Sequence, residues 1–581
     1  MLQQESIKLE INAAVKMRDG TNLYADIYRP DDESKHPAIL ARLPYNKDES
    51  PKSLSGYMNP QKFVRNGYAV VIQDLRGTGV SEGQFYARRA EADDGYDTVE
   101  WVAAQPWCDG NVGMYGLSHL GFTQWAAAKA QPPHLKTICP AGTQHGARPY
   151  KNGAFRLNQT LNWYLIVTAC ALRRSTLPPE ELKSLRESLI YMIDNIEDQL
   201  CFLPLKDVPA AKIAKEPDII PFYADYLTYI DEESYWKQLH TPTPLEEVVI
   251  PTFHICSWYD DLASDVVVSY VGMKKRGGSQ LARKNQKLIM GPWTHSTEQL
   301  SISGDLDFGA ASTGTSIDVN GMHMRWFDHW LKGIDNGIME EPRVRIFVMG
   351  DNVWRDEKDW PLPNTRYTKY YFHSNGHANT RNGNGFLSTQ LPGEEQTDIY
   401  LYDPRNPAPT KSGKTGHAWI EGALEQREIE ERADVLIYTS ATLETDVEVT
   451  GPVELILWAS SSAVDTDFTG KLVDVWPDGK AYNLVDGIVR ARYRESEYAA
   501  KLIKPGKVYQ YSIDLGVTSN VFKAGHRIRV QLSSSSFPKW DRNLNTGHPI
   551  GQDAEIKAAV QTIYHNKQYP SHILLPVIPK R

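Results

Sequence analysis

Short, uninterrupted apolar runs recur from residue 38 onward with helix-length segments between them, and this constrains the chain more than any other feature. The runs are Ala38 to Leu43, Ala69 to Ile72, Val112 to Tyr115, Lys136 to Cys139, Val248 to Cys256 and Leu288 to Met290. A strand that is apolar on both sides of its pleat must be covered on both faces, whereas a half-exposed strand alternates. Ala90 to Ala104 and Phe122 to Ala130 have the length of helices and lie between such runs. The βα alternation therefore predicts a largely parallel sheet covered by helices, an α/β core. An antiparallel hairpin precedes it, since Ile7, Leu9 and Ile11, then Leu23, Ala25 and Ile27, alternate on either side of Asp19-Gly20.

Between Cys139 and Val248 the strand runs stop. The sequence there reads as helices, Asn158 to Leu172 and Pro179 to Ile196, followed by a Tyr- and Trp-rich stretch from Pro221 to Trp236. Ligands bind at the C-terminal edge of open parallel sheets, so this insertion between two strands is expected to form a helical cap over the site. Gly321 to Gly333 reads as a last amphipathic helix. Beyond Pro342, period-2 strands such as Val453/Leu455/Leu457, Tyr509/Tyr511/Ile513 and Ile528/Val530/Leu532 stand between turn residues. This region is expected to be all-β, a two-sheet jelly roll. The expected domains are residues 1–144 with 241–341 for the core, 145–240 for the cap and 342–581 for the jelly roll.

At 581 residues the chain exceeds what one hydrophobic core holds. Its 63 Lys and Arg against 72 Asp and Glu leave a formal charge of −9, and no basic stripe follows a phosphate backbone, so nucleic acid is not an expected partner. The apolar stretch Trp163 to Leu172 is far shorter than the ~20 residues that cross a bilayer, and the first residues do not read as a secretory signal. Five dispersed cysteines without C-x-x-C spacing read as reduced, buried thiols. The expected setting is the cytoplasm, with no membrane contact. Nor does the chain call for a metal or cofactor. No His/Cys cluster has zinc spacing, and Gly77 to Gly83 has neither the G-x-G-x-x-G order nor a P-loop lysine. Asp465-Thr466-Asp467 and Pro477-Asp478-Gly479 read as turns rather than a calcium loop.

Three points of the α/β part carry chemistry. Ser118 stands between an apolar strand and the helix Phe122 to Ala130, among small residues. A serine on a sharp strand-to-helix turn projects its Oγ above the sheet. The pattern departs from G-x-S-x-G, because the trailing glycine, Gly121, comes one residue late. Asp260, in Ser257-Trp258-Tyr259-Asp260-Asp261, and His295, in Gly291-Pro292-Trp293-Thr294-His295-Ser296, each follow a strand run. Nucleophile, acid and histidine in that chain order, each at the C-terminal end of a strand, match the α/β-hydrolases. A hydroxyl is a weak nucleophile at neutral pH, so His295 would take its proton while Asp260 fixes the imidazole tautomer and stabilises its cation. Asp261 is the alternative acid. The His119 side chain is expected to point away from Oγ, and His254 and Asp74 read as a core histidine and a loop carboxylate.

These segments resemble the cocaine esterase-like (CocE/NonD) serine hydrolases, relatives of the X-Pro dipeptidyl-peptidases and α-amino-acid ester hydrolases. The resemblance rests on Trp107 to Met114 leading into the Ser118 turn, on Asp74 to Gly83, on Trp258-Tyr259-Asp260, and on Gly291 to Ser296. Ser460 to Asp467 and Thr518 to Phe522 extend it into the β region, so that it spans nearly the whole chain. It implies a serine-dependent carboxylic-ester hydrolase that acts on a small molecule through an acyl-enzyme, without a cofactor. It further implies that the hydroxyl of Tyr45, in Arg42-Leu43-Pro44-Tyr45, donates to the oxyanion, with the backbone N–H of His119 as second donor. The family commonly has tyrosine at the position of His119, but the role is carried by the backbone. In the substrate pocket Trp163 matches a cap tryptophan, Leu262 stands where the family has an aromatic, and Trp419 is the β-region candidate. A benzoyl preference is therefore not implied. Amide, peptide or α-amino ester hydrolysis is the alternative, with Asp261 and Asp225 as candidates to hold a substrate ammonium; a non-catalytic binding protein that keeps the fold is a second. A homodimer is implied by the resemblance alone.

Overall fold

The computed structural model describes residues 6–48, 59–143, 148–175, 177–213, 222–239, 243–411 and 421–579. A ten-stranded sheet forms its centre. In spatial order the strands are Ile7–Lys16, Asn22–Pro30, Ala69–Asp74, His36–Leu43, Cys108–Leu117, Leu135–Ala141, Thr252–Ser257, Gln286–Gly291, Val344–Val348 and Val353–Glu357. From Ala69–Asp74 to Val344–Val348 every neighbour pair is parallel. Antiparallel strands close both edges, the first of them the N-terminal hairpin. Ala69–Asp74, Thr252–Ser257 and Gln286–Gly291 are buried at every position, which the unbroken apolar runs required.

Helices cover the sheet. Glu91–Ala103 carries Glu91, Asp93 and Asp94 in its first turn, where carboxylates suit the positive end of the helix dipole. His119–Ala130 is buried nearly all round, because it lies between that helix and the sheet. On the other face Val319–Lys332 seats Trp326 and Phe327, and the Trp326 indole donates to Thr137 Oγ1 at 2.8 Å. Between Leu135–Ala141 and Thr252–Ser257 the described chain is mostly helical, with Leu157–Ala171 and Pro179–Asp194 the longest helices. No helix among the described residues is long and apolar enough to cross a membrane.

The C-terminal region is all-β. Its long strands Val447–Ser461 and Tyr509–Phe522 pair antiparallel from Val447↔Phe522 to Ala459↔Tyr509. Their apolar core is continuous with Trp258 and Tyr259 and with Val344, Ile346 and Phe347 of the central sheet. That sheet thus runs past residue 341, where the sequence reading ended the core, because Val344–Val348 pairs in parallel with Gln286–Gly291. A five-residue strand, apolar but for Arg345, carries no local mark of which sheet it will join. Pro477-Asp478-Gly479 is a turn, with the Gly479 N–H bonded to Trp476 O at 2.9 Å. Asp467 is not in a turn. It opens the strand Asp467–Val475 and takes both Nε and Nη2 of Arg490 at 2.9 Å, while Asp465 pairs with Arg492.

Candidate active site

The turn after Cys108–Leu117 holds Ser118 at φ 62° and ψ −123°, backbone angles that L residues rarely adopt. Hydrogen bonds on both sides fix it there. The Ser118 N–H donates to Ala141 O at 2.9 Å, and the Ser118 carbonyl accepts from the N–H groups of Gly121 at 2.9 Å and Phe122 at 3.1 Å. The late glycine has a steric reason. A Cβ on Gly121 would stand 2.3 Å from Thr143 Cγ2, so the third place after the serine is the one pressed against the neighbouring loop. The second place holds Leu120, which is buried in the apolar cluster with Ile39, Tyr115 and Phe327.

His119 opens the helix, so its backbone N–H belongs to the first turn, whose donors have no intrahelical acceptor. Its side chain points elsewhere. Nε2 lies 3.2 Å from Glu91 Oε1, and the ring stacks on Trp163 at 5.1 Å. Tyr45 follows the strand His36–Leu43; its hydroxyl accepts from Trp163 Nε1 at 3.0 Å and lies near enough to the Ser118 side chain to feel its pull. Burial pushes the phenol up to about 12, against the opposing pull of Trp163 and Ser118. It therefore keeps its proton at neutral pH and stays a donor.

Asp260 and His295 leave neighbouring parallel strands, in which Gly291 pairs with Ser257. The two loops run together, since Trp258 N–H donates to Gly291 O at 2.8 Å and Tyr259 N–H to Trp293 O at 3.2 Å. His295 Nδ1 and Asp260 Oδ2 are 2.9 Å apart, and Asp260 Oδ1 accepts from Leu262 N–H at 2.8 Å. Under the pair lies Gly142, at φ +43°. A Cβ there would stand 2.9 Å from Asp260 Oδ2, 2.9 Å from Leu117 Cδ1 and 3.5 Å from His295 Cε1. Because the preceding residue, Ala141, accepts the Ser118 N–H, this bare stretch of backbone lets the acid and the histidine come up beside the serine. Asp261 faces the other way, 2.7 Å from Lys539 Nζ. Asp225 accepts from the Tyr86 hydroxyl at 2.6 Å, and neither carboxylate lines the cavity at Ser118.

One residue of this constellation escaped the sequence reading. Glu421, from the β region, accepts the His295 backbone N–H on Oε2 at 2.6 Å. Its carboxylate, that of Asp260 and the His295 ring have donor atoms within 4.8 Å of one another. Asp260 and His295 direct theirs at each other, which makes the cluster a hydrogen-bonded chain rather than an open ligand set. Burial opposes charge on His295, but Asp260, then Glu421 and Asp261, raise its pKa to about 9. Burial followed by Asp260 lifts Glu421 to about 8 against the pull of His295. Asp260 itself is buried, yet the charge and hydrogen bond of His295 hold it below its ordinary value. With Glu421 and His295 126 positions apart in sequence, no local motif joins them.

A cavity of about 80 Å³ opens onto Ser118, lined among others by Phe122, Gln159, Trp163 and Leu262. Of the residues expected in a substrate pocket, Trp163 and Leu262 line this cavity, and Trp419 falls outside the described residues.

The sequence matches two family models: X-Pro dipeptidyl-peptidase (S15 family) over residues 19–297 and X-Pro dipeptidyl-peptidase C-terminal non-catalytic domain over 336–574. It is 41% identical over 578 residues to a cocaine esterase of Rhodococcus sp., covering 98% of each chain. To a putative serine esterase of Mycobacterium bovis it is 25% identical over 639 residues, covering 97% of this chain and 94% of the relative. Among solved structures, an aminopeptidase from a marine sediment Thaumarchaeota archaeon superposes with a TM-score of 0.81 at 25% identity, over 99% of this chain and 96% of the other. An α-amino acid ester hydrolase also gives a TM-score of 0.81 at 25% identity, over 99% and 97%.

Proposed function

The chain belongs to the cocaine esterase-like (CocE/NonD) family of serine hydrolases, and on that premise we propose that Ser118, Asp260 and His295 are its catalytic triad, with Tyr45 and the His119 backbone N–H as oxyanion donors. The protein is a serine carboxylic-ester hydrolase. In the first step Ser118 Oγ bonds to the ester carbonyl carbon while His295 takes the hydroxyl proton. Charge builds on the carbonyl oxygen, where the Tyr45 phenol and the His119 amide meet it. Losing one such donor typically costs ~2.7–4 kcal/mol of transition-state stabilisation. The imidazolium passes its proton to the departing alcohol as the C–O bond breaks, leaving an acyl-Ser118. Water, deprotonated by the same imidazole, then releases the acid.

The observation that carries this reading is the convergence over Gly142, where the 2.9 Å Asp260–His295 pair stands beside the turn that holds Ser118. In the same reading the helices of 145–240 form a cap, supported by Gln159, Trp163 and Tyr226 in the cavity wall. The β region acts as a jelly-roll brace, supported by Lys539 Nζ at 2.7 Å from Asp261 and by the Glu421 carboxylate that accepts the His295 N–H at 2.6 Å. Hydrolysis of 4-nitrophenyl butyrate tests the assignment. Ser118→Ala should abolish turnover and labelling by a fluorophosphonate, and retained activity would remove the mechanism. Matched amides and α-amino esters in the same panel test the alternative chemistry. The positions of Asp225 and Asp261, both outside the cavity lining, argue against a bound ammonium there.

A further inference from the structure

Among the described residues, the cavity at Ser118 is lined by three arginines, Arg88, Arg148 and Arg156, and by no aspartate or glutamate. Buried guanidinium groups demand acceptors, so what each already holds tells what it has left to offer. Arg148 is committed to the protein, with Nη1 donating to Ile230 O at 2.8 Å and Nη2 to Glu497 O at 2.7 Å. Arg88 lies over the Phe122 ring, its guanidinium carbon 5.1 Å from the centroid.

Arg156 differs. Its side chain is only 9% exposed, yet its two terminal nitrogens reach their acceptors, Asp261 O and Asp265 Oδ2, at 3.4 Å each, the outer limit for a hydrogen bond. Its Nε is buried with no acceptor among the described residues. A planar guanidinium whose terminal nitrogens are only weakly matched thus belongs to the wall of the cavity that contains Ser118. Leu262, Phe122 and Trp163 line the same cavity as apolar wall, suited to methylene groups rather than to charge.

We propose that this pocket selects acyl groups that end in a carboxylate, the half-esters of dicarboxylic acids, and that Arg156 is the residue that selects them. The inference rests on Ser118 being the nucleophile. The reaction is the same hydrolysis: the ester C–O bond breaks, water supplies the new hydroxyl, and the products are a dicarboxylic acid and an alcohol. The distal carboxylate takes no part in bond making and only pairs with the guanidinium.

The test compares two esters of equal chain length, 4-nitrophenyl hydrogen adipate and 4-nitrophenyl hexanoate, in kcat/KM corrected for uncatalysed hydrolysis. Wild type should prefer the adipate half-ester, and Arg156→Gln should lower the adipate-to-hexanoate ratio by about tenfold to a hundredfold, the range for one charge-assisted hydrogen bond. Arg156→Lys, which keeps the charge but not the fork, should restore part of the ratio. A second measurement needs no variant: free adipate should inhibit hexanoate ester hydrolysis and raise the Tm of wild type more than hexanoate does. A wild type that cleaves both esters with a ratio at or below one, or a ratio unmoved in Arg156→Gln, overturns the inference and leaves the esterase reading standing. A wild type inert towards both, with no response to adipate in Tm, overturns both.

Discussion

Two of the histidine–aspartate pairs in this protein have the same 2.9 Å separation, His295 with Asp260 and His565 with Asp398. In the second, the other ring nitrogen of His565 sits 3.1 Å from Glu395, so both nitrogens face carboxylates. Asp398 also accepts from the Ser374 hydroxyl at 2.7 Å, the Ala378 N–H at 2.8 Å and the Tyr438 hydroxyl at 2.8 Å. The ring is fully buried, and the group is a closed knot in the β region. The first pair instead ends two loops at the C-terminal edge of the parallel sheet, where Gly142 leaves room beside the serine turn. A short His–Asp contact is therefore no mark of catalysis in itself. What differs is where the pair sits: locked inside the β region, or beside the serine turn at the edge of the parallel sheet.

The comparison is broken most severely by exchanging the acid for its amide in each pair. Asp260→Asn should lower kcat/KM by about 10⁴-fold, because the imidazole loses its fixed tautomer, while leaving Tm nearly unchanged. Asp398→Asn should do the reverse, lowering stability by about 3–5 kcal/mol, read as a depressed Tm, with turnover per folded molecule retained. Equal losses of activity in the two variants would erase the distinction.

A smaller effect sharpens the catalytic side. Tyr45→Phe removes only a hydroxyl and should cost about 10²–10³-fold in kcat, with little change in KM. A loss confined to KM would mean that Tyr45 packs against substrate rather than holding the oxyanion. The smallest effect concerns pH. His295 must be neutral to accept a proton, and its pKa is raised to about 9, so kcat/KM should climb with pH through the alkaline range and level off above it. Glu421→Gln removes one of the charges that raise that value, so the rising limb should move to lower pH, changing activity at pH 7 by no more than about tenfold. A profile that stays in place would show that the Glu421 charge does not reach the ring.

The strand runs, the chain order of Ser118, Asp260 and His295, and the motifs around them were legible because each is a local pattern whose spacing is set by strand and turn geometry. The position of Tyr45 was legible only through likeness to a family, since nothing near Arg42-Leu43-Pro44-Tyr45 says that its hydroxyl will meet Ser118. Glu421 and Arg156 were missed for a common reason. Glu421 reaches His295 across 126 residues, and Arg156 acquires its meaning from unmatched donors, a property of the assembled surroundings that a sequence does not display. Asp467 shows the opposite error. Aspartates near a small polar cluster read as a turn, but Arg490 lies 23 residues downstream and draws the carboxylate into the interior.

Strand Val344–Val348 binds the two halves of the molecule along a seam. One edge zips to Gln286–Gly291, and Met349, just beyond its end, donates to Ser519 O at 3.0 Å while accepting from Val521 N–H at 2.8 Å. A recombination event cutting the gene between the halves would strip the strand from one of its two partners, laying Leu288, Ile289 and Met290 open as an unpaired, apolar sheet border ready to stick to another chain. The halves are thus not interchangeable cassettes. Swapping the C-terminal one in search of new substrates calls for a junction placed beyond Glu357, so that the border strands travel with the sheet they complete.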